Sequence, residues 1–233
     1  MTVDRRQWSI VGIVALLVAV ITGLVAATGE VPGWEESIFH AVNDLPDWLE
    51  APMWVFQLAG LLLVPLGVAA VAAVFKQWWL AIALVVFVPL KLLVEKGVVK
   101  QLVERERPGT TICGYDASDP SAFDSTCGNF RGDVPLDGLS FVSGHAIIAW
   151  GVAALLWTVL PGRWRWIPVG VAFLNATARV YVGAHNPLDV GGGGAVGVAC
   201  ATVLILVIGA SRARTTRAAD PAGANASVSR LPW

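Results

Sequence analysis

Apolar residues in this chain gather into long runs separated by short polar stretches. Residues 8–27 form the first run, and others occupy 53–75, 80–99, 143–160, 167–182 and 187–208. A helix rises about 1.5 Å per residue, so about 20 apolar residues cross a hydrocarbon core of about 30 Å. The pattern predicts an all-α, polytopic membrane protein with six transmembrane helices. The first run is longer than the apolar part of a signal peptide, usually about 7–15 residues. It is read as a retained span, with cleavage near Ala26-Ala27 as the alternative.

The stretches between the runs refine this picture. Residues 28–52 mix acids with Trp34, Phe39, Val42, Leu45, Trp48 and Leu49. Apolar positions 38, 39, 42 and 45 have helical spacing, which predicts an amphipathic helix lying at the interface after the first span. His40 reads there as an interfacial surface residue. Pro89 predicts a kink in the third span. In that span Lys91 and Glu95 are four apart and can pair, either as a structural bridge or beside a polar cavity. Residues 108–141 form a polar loop with Asp116, Asp119, Asp124, Asp133 and Asp137 against a single Arg131. The predicted domain is residues 1–210, followed by a disordered cytoplasmic tail over 211–233.

Composition supports a membrane chain. Of 233 residues, 56% are hydrophobic and 14% charged, and the mean hydropathy is +0.67. The net charge of −1 gives no reason to expect nucleic acid as a partner. With the N-terminus in the cytoplasm, Arg5, Arg6, Lys76, Arg163, Arg165, Arg212, Arg214 and Arg217 fall on the cytoplasmic side, as the positive-inside tendency prefers. Both termini are then cytoplasmic in the cell membrane. The polar clusters that carry chemistry lie on the extracytoplasmic face.

There are three such clusters, each at the outer end of a predicted span. Lys100 and Arg107 are seven residues apart, so on one helix they share a face, with Pro108 ending that helix. Ser143, Gly144 and His145 open the fourth span. Ser143 can cap that helix, Gly144 lets a ligand approach the backbone, and the free N–H groups suit an anion. Arg179, His185 and Asp189 surround the start of the sixth span at Pro187. Asp189 in the first turn of that helix would lie close to His185, hold one imidazole nitrogen and leave the other facing out. That is how a histidine becomes an oriented base or nucleophile. Each cluster has a plainer counterpart: an interfacial His-Asp contact, a capped helix start, and a Lys100–Glu104 ion pair. Together they supply three cations, a helix N-terminus and two histidines, an inventory suited to phosphoryl transfer. A metal site of His145, His185 and Asp189 is an alternative, disfavoured because Lys100, Arg107 and Arg179 would repel a cation.

Lys-x6-Arg-Pro (Lys100 to Pro108), Ser-Gly-His (Ser143 to His145) and Arg-x5-His-x3-Asp (Arg179 to Asp189) together resemble the signature of the type 2 phosphatidic acid phosphatase (PAP2) family. The chain departs from that signature at Val142, where the family usually has Pro, and at Ala178, where it usually has Ser. The resemblance implies a lipid phosphatase acting on phosphatidic acid, phosphatidylglycerol phosphate or an isoprenyl diphosphate. It implies His185 as the nucleophile, forming a phosphohistidine, with Asp189 orienting it and His145 protonating the leaving oxygen. Lys100, Arg107, Ser143, Gly144 and Arg179 would hold the phosphoryl oxygens. No metal or other cofactor is implied, and no obligate protein partner beyond the bilayer and its lipid phosphate. A catalytically dead, lipid-binding scaffold is the rival, resting on Val142 and Ala178.

Cys113 and Cys127 are separated by 13 residues on the proposed outer side, where disulfides persist. A bridge between them would pin the loop and contribute about 3 kcal/mol by loop closure. The glycines at 191–194, with Ala195, Gly197 and Ala199, predict close helix packing in the sixth span.

Overall fold

The computed structural model describes residues 4–219. Within them the chain is helical apart from turns and one long loop, with a single isolated β-bridge between Glu106 and Leu139. Helix α1 (Arg5–Ala26) begins where the Asp4 carboxylate accepts the N–H groups of Arg6 and Gln7, at 3.0 and 3.2 Å. Most of its apolar side chains, Ile13, Leu16, Leu17 and Ile21 among them, face outward, which suits a helix bathed in lipid. It packs along α10 (Pro187–Ala219), with Gly12 seated against Thr202.

Helix α2 (Gly33–Asn43) covers the interface expected to be amphipathic, but its buried face is partly polar: Glu35, Phe39 and Asn43. The expected second span is not one continuous helix. α3 (Glu50–Gln57) and α4 (Leu63–Val74) are separated by a 3₁₀ turn over Leu58–Gly60, and the chain bends there by 67°. α5 (Trp78–Leu92) passes through Pro89 and widens into a π-helical stretch over Leu93–Val99 before the short α6 (Lys100–Leu102). By length and composition two helical segments, Arg5–Ala26 and Pro187–Ile208, can cross a membrane, and a third if the bent pair counts as one span. α10 continues to Ala219, into the stretch read from sequence as tail; residues 220–233 of that tail lie outside the described residues.

One correction concerns the first cluster. Lys100 and Arg107 do not share a helix, because the helix ends at Leu102 and Val103 is extended. Pro108 does not end a helix but begins one, α7 (Pro108–Thr111). A proline pushes the preceding residue out of the helical region and is itself well placed at a first helical position. Arg107 is accordingly extended, at φ −76° and ψ 163°.

α8 (Gly144–Trp157) forms the centre of the fold, buried on nearly every face and packed by α5, α9 (Trp166–Tyr181) and α10. The glycines of α10 make this possible. A Cβ on Gly193 would come within 2.6 Å of the Ser143 carbonyl oxygen, and one on Gly197 would collide with that of Ile147. The helix of the third motif therefore lies backbone to backbone against the helix of the second.

Arg131 ties the long loop to this frame. Its guanidinium donates to the carbonyls of Asn43 (2.8 Å), Tyr181 (2.7 Å) and Leu45 (3.1 Å) and to Asp47 (2.9 Å), and lies 3.9 Å above the Tyr181 ring. Asn43 adds bonds to the carbonyls of Asn129 and Tyr181. One arginine thus joins α2, the loop and the end of α9, just before His185. Replacing Arg131 by Ala leaves several buried carbonyls without a donor and is expected to cost about 3 kcal/mol. In detergent this should lower the melting temperature by about 6–12 °C; a midpoint within about 1 °C of the parent's would contradict the assignment.

Candidate active site

The three motifs meet at the start of α10. Asn186 turns the chain, and its N–H donates to Asp189 Oδ2 at 2.8 Å, so Asp189 caps its own helix. The β-bridge between Glu106 and Leu139, together with the Ser140 N–H bond to the Arg105 carbonyl (2.7 Å), brings the first motif beside the second. Ser143 N–H donates to the Asp189 carbonyl at 3.0 Å, which fixes the second motif on the third.

At the base of this junction Arg105, Glu35 and Asp189 are each 0% exposed. Arg105 grips Glu35 with both terminal nitrogens, at 3.0 and 2.6 Å, and reaches Asp189 Oδ1 at 3.5 Å. Glu35 Oε1 also accepts the Leu188 N–H at 2.8 Å, which places a carboxylate at the positive end of α10. Buried charges need such partners, and only the Arg105 Nε is left without one.

His185 lies just above, 4% exposed. Its Nδ1 is 3.3 Å from Ser140 Oγ and 3.8 Å from Asp189 Oδ2, while the Ser140 hydroxyl donates to that same carboxylate oxygen. The sequence led us to expect Asp189 to hold the imidazole itself. At 3.8 Å it makes no direct hydrogen bond, while the Ser140 hydroxyl contacts both the carboxylate and the ring.

The cations converge from three elements. Arg107 donates to the Ala184 carbonyl at 2.7 Å, next to His185. Arg179 donates to the Gln57 side-chain oxygen, and its Nε has no partner. Lys100 is 3.7 Å from Glu95, which also pairs with Lys91. Gly144 is pressed onto that pair: a Cβ there would stand 2.7 Å from Glu95 Oε1 and 3.0 Å from Lys91 Nζ. Ser143 is the N-cap residue of α8, yet its hydroxyl makes no cap hydrogen bond and is buried without a partner. His145 is fixed by Gly60 of the 3₁₀ turn, where a Cβ would come within 2.5 Å of the His145 Cβ. Val142 and Ala178, the two departures from the motif, are both fully buried among apolar neighbours. Phe141 is buried as well, and the Phe141–Val142 peptide is cis.

Burial pushes His185 well below the usual imidazole range, and the charges of Arg179, Arg107 and Lys100 push it further. The ring is therefore neutral at ordinary pH, with a lone pair available, and its contact with Asp189 is not an ion pair. Lys100 is also lowered, first by burial, against the pull of Glu95. Among the described residues no three His, Cys, Asp or Glu side chains converge to hold a metal ion, so the alternative triad of His145, His185 and Asp189 is not assembled.

Around the site the loop is closed by Cys113 and Cys127, joined as a disulfide with Cα atoms 5.6 Å apart. Three of its carboxylates cap local turns, with Asp116 accepting from Ser118, Asp119 from Ser121 and Asp124 from Thr126.

The profile of the PAP2 superfamily matches residues 73–213, more than half of the chain. The chain belongs to the PAP2 superfamily. Two crystal structures share the fold of this PAP2 protein. Aquifex aeolicus LpxE aligns at a TM-score of 0.61 and 20% identity, covering 72% of this chain and 93% of that one. The first transmembrane PAP2-type phosphatidylglycerolphosphate phosphatase from Bacillus subtilis aligns at 0.61 and 23% identity, covering 83% and 93%. A comparison with curated protein sequences finds no significant match.

Sequence reasoning missed Glu35, Arg105, Ser140 and Gln57 as members of this site. Glu35 had a faint signal, since it shares a helix face with Phe39 four residues on. Ser140 and Gln57 had none.

The shift of His185 is testable directly. Below about pH 6.5 an unfolded chain takes up a proton that the buried ring refuses, so this histidine withdraws stability as pH falls. In ¹⁵N-histidine spectra the His185 resonances, assigned by their loss in His185→Ala, should stay those of a neutral ring from pH 8 down to about 5.5. A midpoint at or above about 6.5 would contradict the burial argument.

Proposed function

We propose that this PAP2 protein is an integral-membrane lipid phosphatase that works through a phosphohistidine on His185. The observation that carries the reading is a neutral, buried imidazole facing Arg107, Arg179 and Lys100, beside a Ser143 hydroxyl and an Arg179 Nε that both lack partners. Unpartnered buried donors beside fixed cations suit a ligand with several anionic oxygens. A phosphoryl group supplies them.

In this reading His185 Nε2 attacks phosphorus. The P–N bond forms as the bond to the leaving oxygen breaks, and His145 gives that oxygen a proton. Water then attacks the phosphohistidine, with His145 taking a proton from it, and inorganic phosphate leaves. Lys100, Arg107 and Arg179, with Ser143 and the Gly144 N–H, hold the three non-bridging oxygens while charge develops on them. The Cys113–Cys127 bridge steadies the loop beside them. Six apolar segments with both termini cytoplasmic would set this site on the extracytoplasmic face, where a lipid keeps its tail in the outer leaflet and presents its phosphate. Phosphatidic acid, phosphatidylglycerol phosphate and isoprenyl diphosphates all offer that chemistry.

Purified protein in detergent should release phosphate from at least one of these lipids. Release should persist with a chelator present and be suppressed by vanadate. His185→Ala should lose at least about 10³-fold in kcat, the scale seen when a nucleophile is removed. Full activity in a folded His185→Ala protein would sink the proposal.

A further inference from the structure

We propose that Asp189 acts on His185 through Ser140, whose hydroxyl sets the tautomer and orientation of the imidazole. The inference rests on His185 being the nucleophile. Three distances support it: Ser140 Oγ is within hydrogen-bond reach of His185 Nδ1 at 3.3 Å, it donates to Asp189 Oδ2, and the direct gap from Nδ1 to that oxygen is 3.8 Å. A hydroxyl that gives its hydrogen to a carboxylate has only lone pairs left to offer its other neighbour. The imidazole must then carry its hydrogen on Nδ1, which leaves the Nε2 lone pair as the nucleophile.

Ser140 is well held for this task. It is fully buried, and its own N–H is bonded to the Arg105 carbonyl at 2.7 Å. The same Arg105 side chain contacts Asp189 Oδ1, so one residue positions both ends of the relay. Asp189 Oδ2 meanwhile accepts the Asn186 N–H, which keeps the carboxylate from rotating towards the ring.

During phosphoryl transfer no proton need cross this relay. As Nε2 bonds to phosphorus the ring becomes cationic and keeps its hydrogen on Nδ1. That hydrogen bond to Ser140 Oγ strengthens, and the bond from Ser140 to Asp189 strengthens with it. The leaving oxygen takes its proton from His145. When water cleaves the P–N bond the ring returns to neutral with the same tautomer, ready for the next cycle. Ser140 touches no reacting atom and is a positioning residue.

The test uses the full chain in detergent with a lipid phosphate, and compares the parent, His185→Ala, Ser140→Ala and Ser140→Thr. Ser140→Ala should lower kcat about 10- to 100-fold, the usual loss for a supporting partner of this kind, with KM changed less than about twofold. Ser140→Thr keeps the hydroxyl and should recover most of that loss. In ¹⁵N-histidine spectra Ser140→Ala should remove the dominance of the Nδ1–H form of His185, an effect that mere loosening of the fold would not produce selectively. If Ser140→Ala does not melt cooperatively, Ser140→Cys fills the space with a poor donor and is held to the same thresholds. Parent-like kcat and an unchanged tautomer in the Ala or Cys variant would overturn the relay while leaving the nucleophile intact. Parent-like activity in His185→Ala would instead remove the reading beneath it.

Discussion

The buried guanidinium of Arg105, held between Glu35 and Asp189, is the interaction on which this molecule is built. Three charges with no solvent contact cannot be left singly, since each alone would cost several kcal/mol to bury. Each is fixed by a different element: Glu35 by α2, Arg105 by the extended segment after α6, and Asp189 by the first turn of α10. Pairing them therefore locks three distant pieces of chain into one geometry. Such a cluster need not add net stability over an apolar core. Its contribution here is register, because shifting any one of these pieces leaves the buried charges on the other two without that partner.

From that junction the site follows by short steps. Asp189 holds Asn186 and Ser140, Ser140 meets His185, and the Asp189 carbonyl holds the backbone of Ser143. Burial first, and then the charges of Arg179, Arg107 and Lys100, keep the ring uncharged. In the proposed mechanism the nucleophile is a histidine denied its proton by burial, and the positive charge that would receive a phosphoryl group adds to that denial. On that proposal the anion site and the nucleophile are one electrostatic arrangement.

Much of this was legible in the sequence. The apolar runs at 80–99, 143–160 and 167–182 mark helices whose starts and ends lie within a few residues of those observed, and the run at 187–208 marks the start of one that continues to Ala219, because long apolar runs have few alternatives to helix in lipid. Proline at 187 and acid at 189 correctly place the third motif at a helix start. The break between α3 and α4 was not legible, since the residues around it are as apolar as any span. The polar side chains brought in from elsewhere were equally hidden. Gln57 and Ser140 have no local pattern that distinguishes them and Glu35 only a faint one, and what gives them meaning is a partner 45 to 153 residues away. Between Lys100 and Arg107 helical periodicity misled, because Pro108 restrains Arg107 to extended backbone and the chain leaves the helix five residues early.

The place of Glu35 also bears on how the chain is assembled. The stretch that matches the superfamily profile begins at residue 73, yet the carboxylate that neutralises its buried arginine lies outside it, on α2. Glu35 emerges from the ribosome 70 residues before Arg105 and 153 before the Leu188 N–H that completes its shell. Until both arrive, water is its only adequate partner, and α2 has no reason to leave the surface. The buried seat of α2 thus depends on two segments made later in synthesis. The helix made second is held by residues from the far end of the bundle, and the enclosure around His185 draws on both ends of the chain.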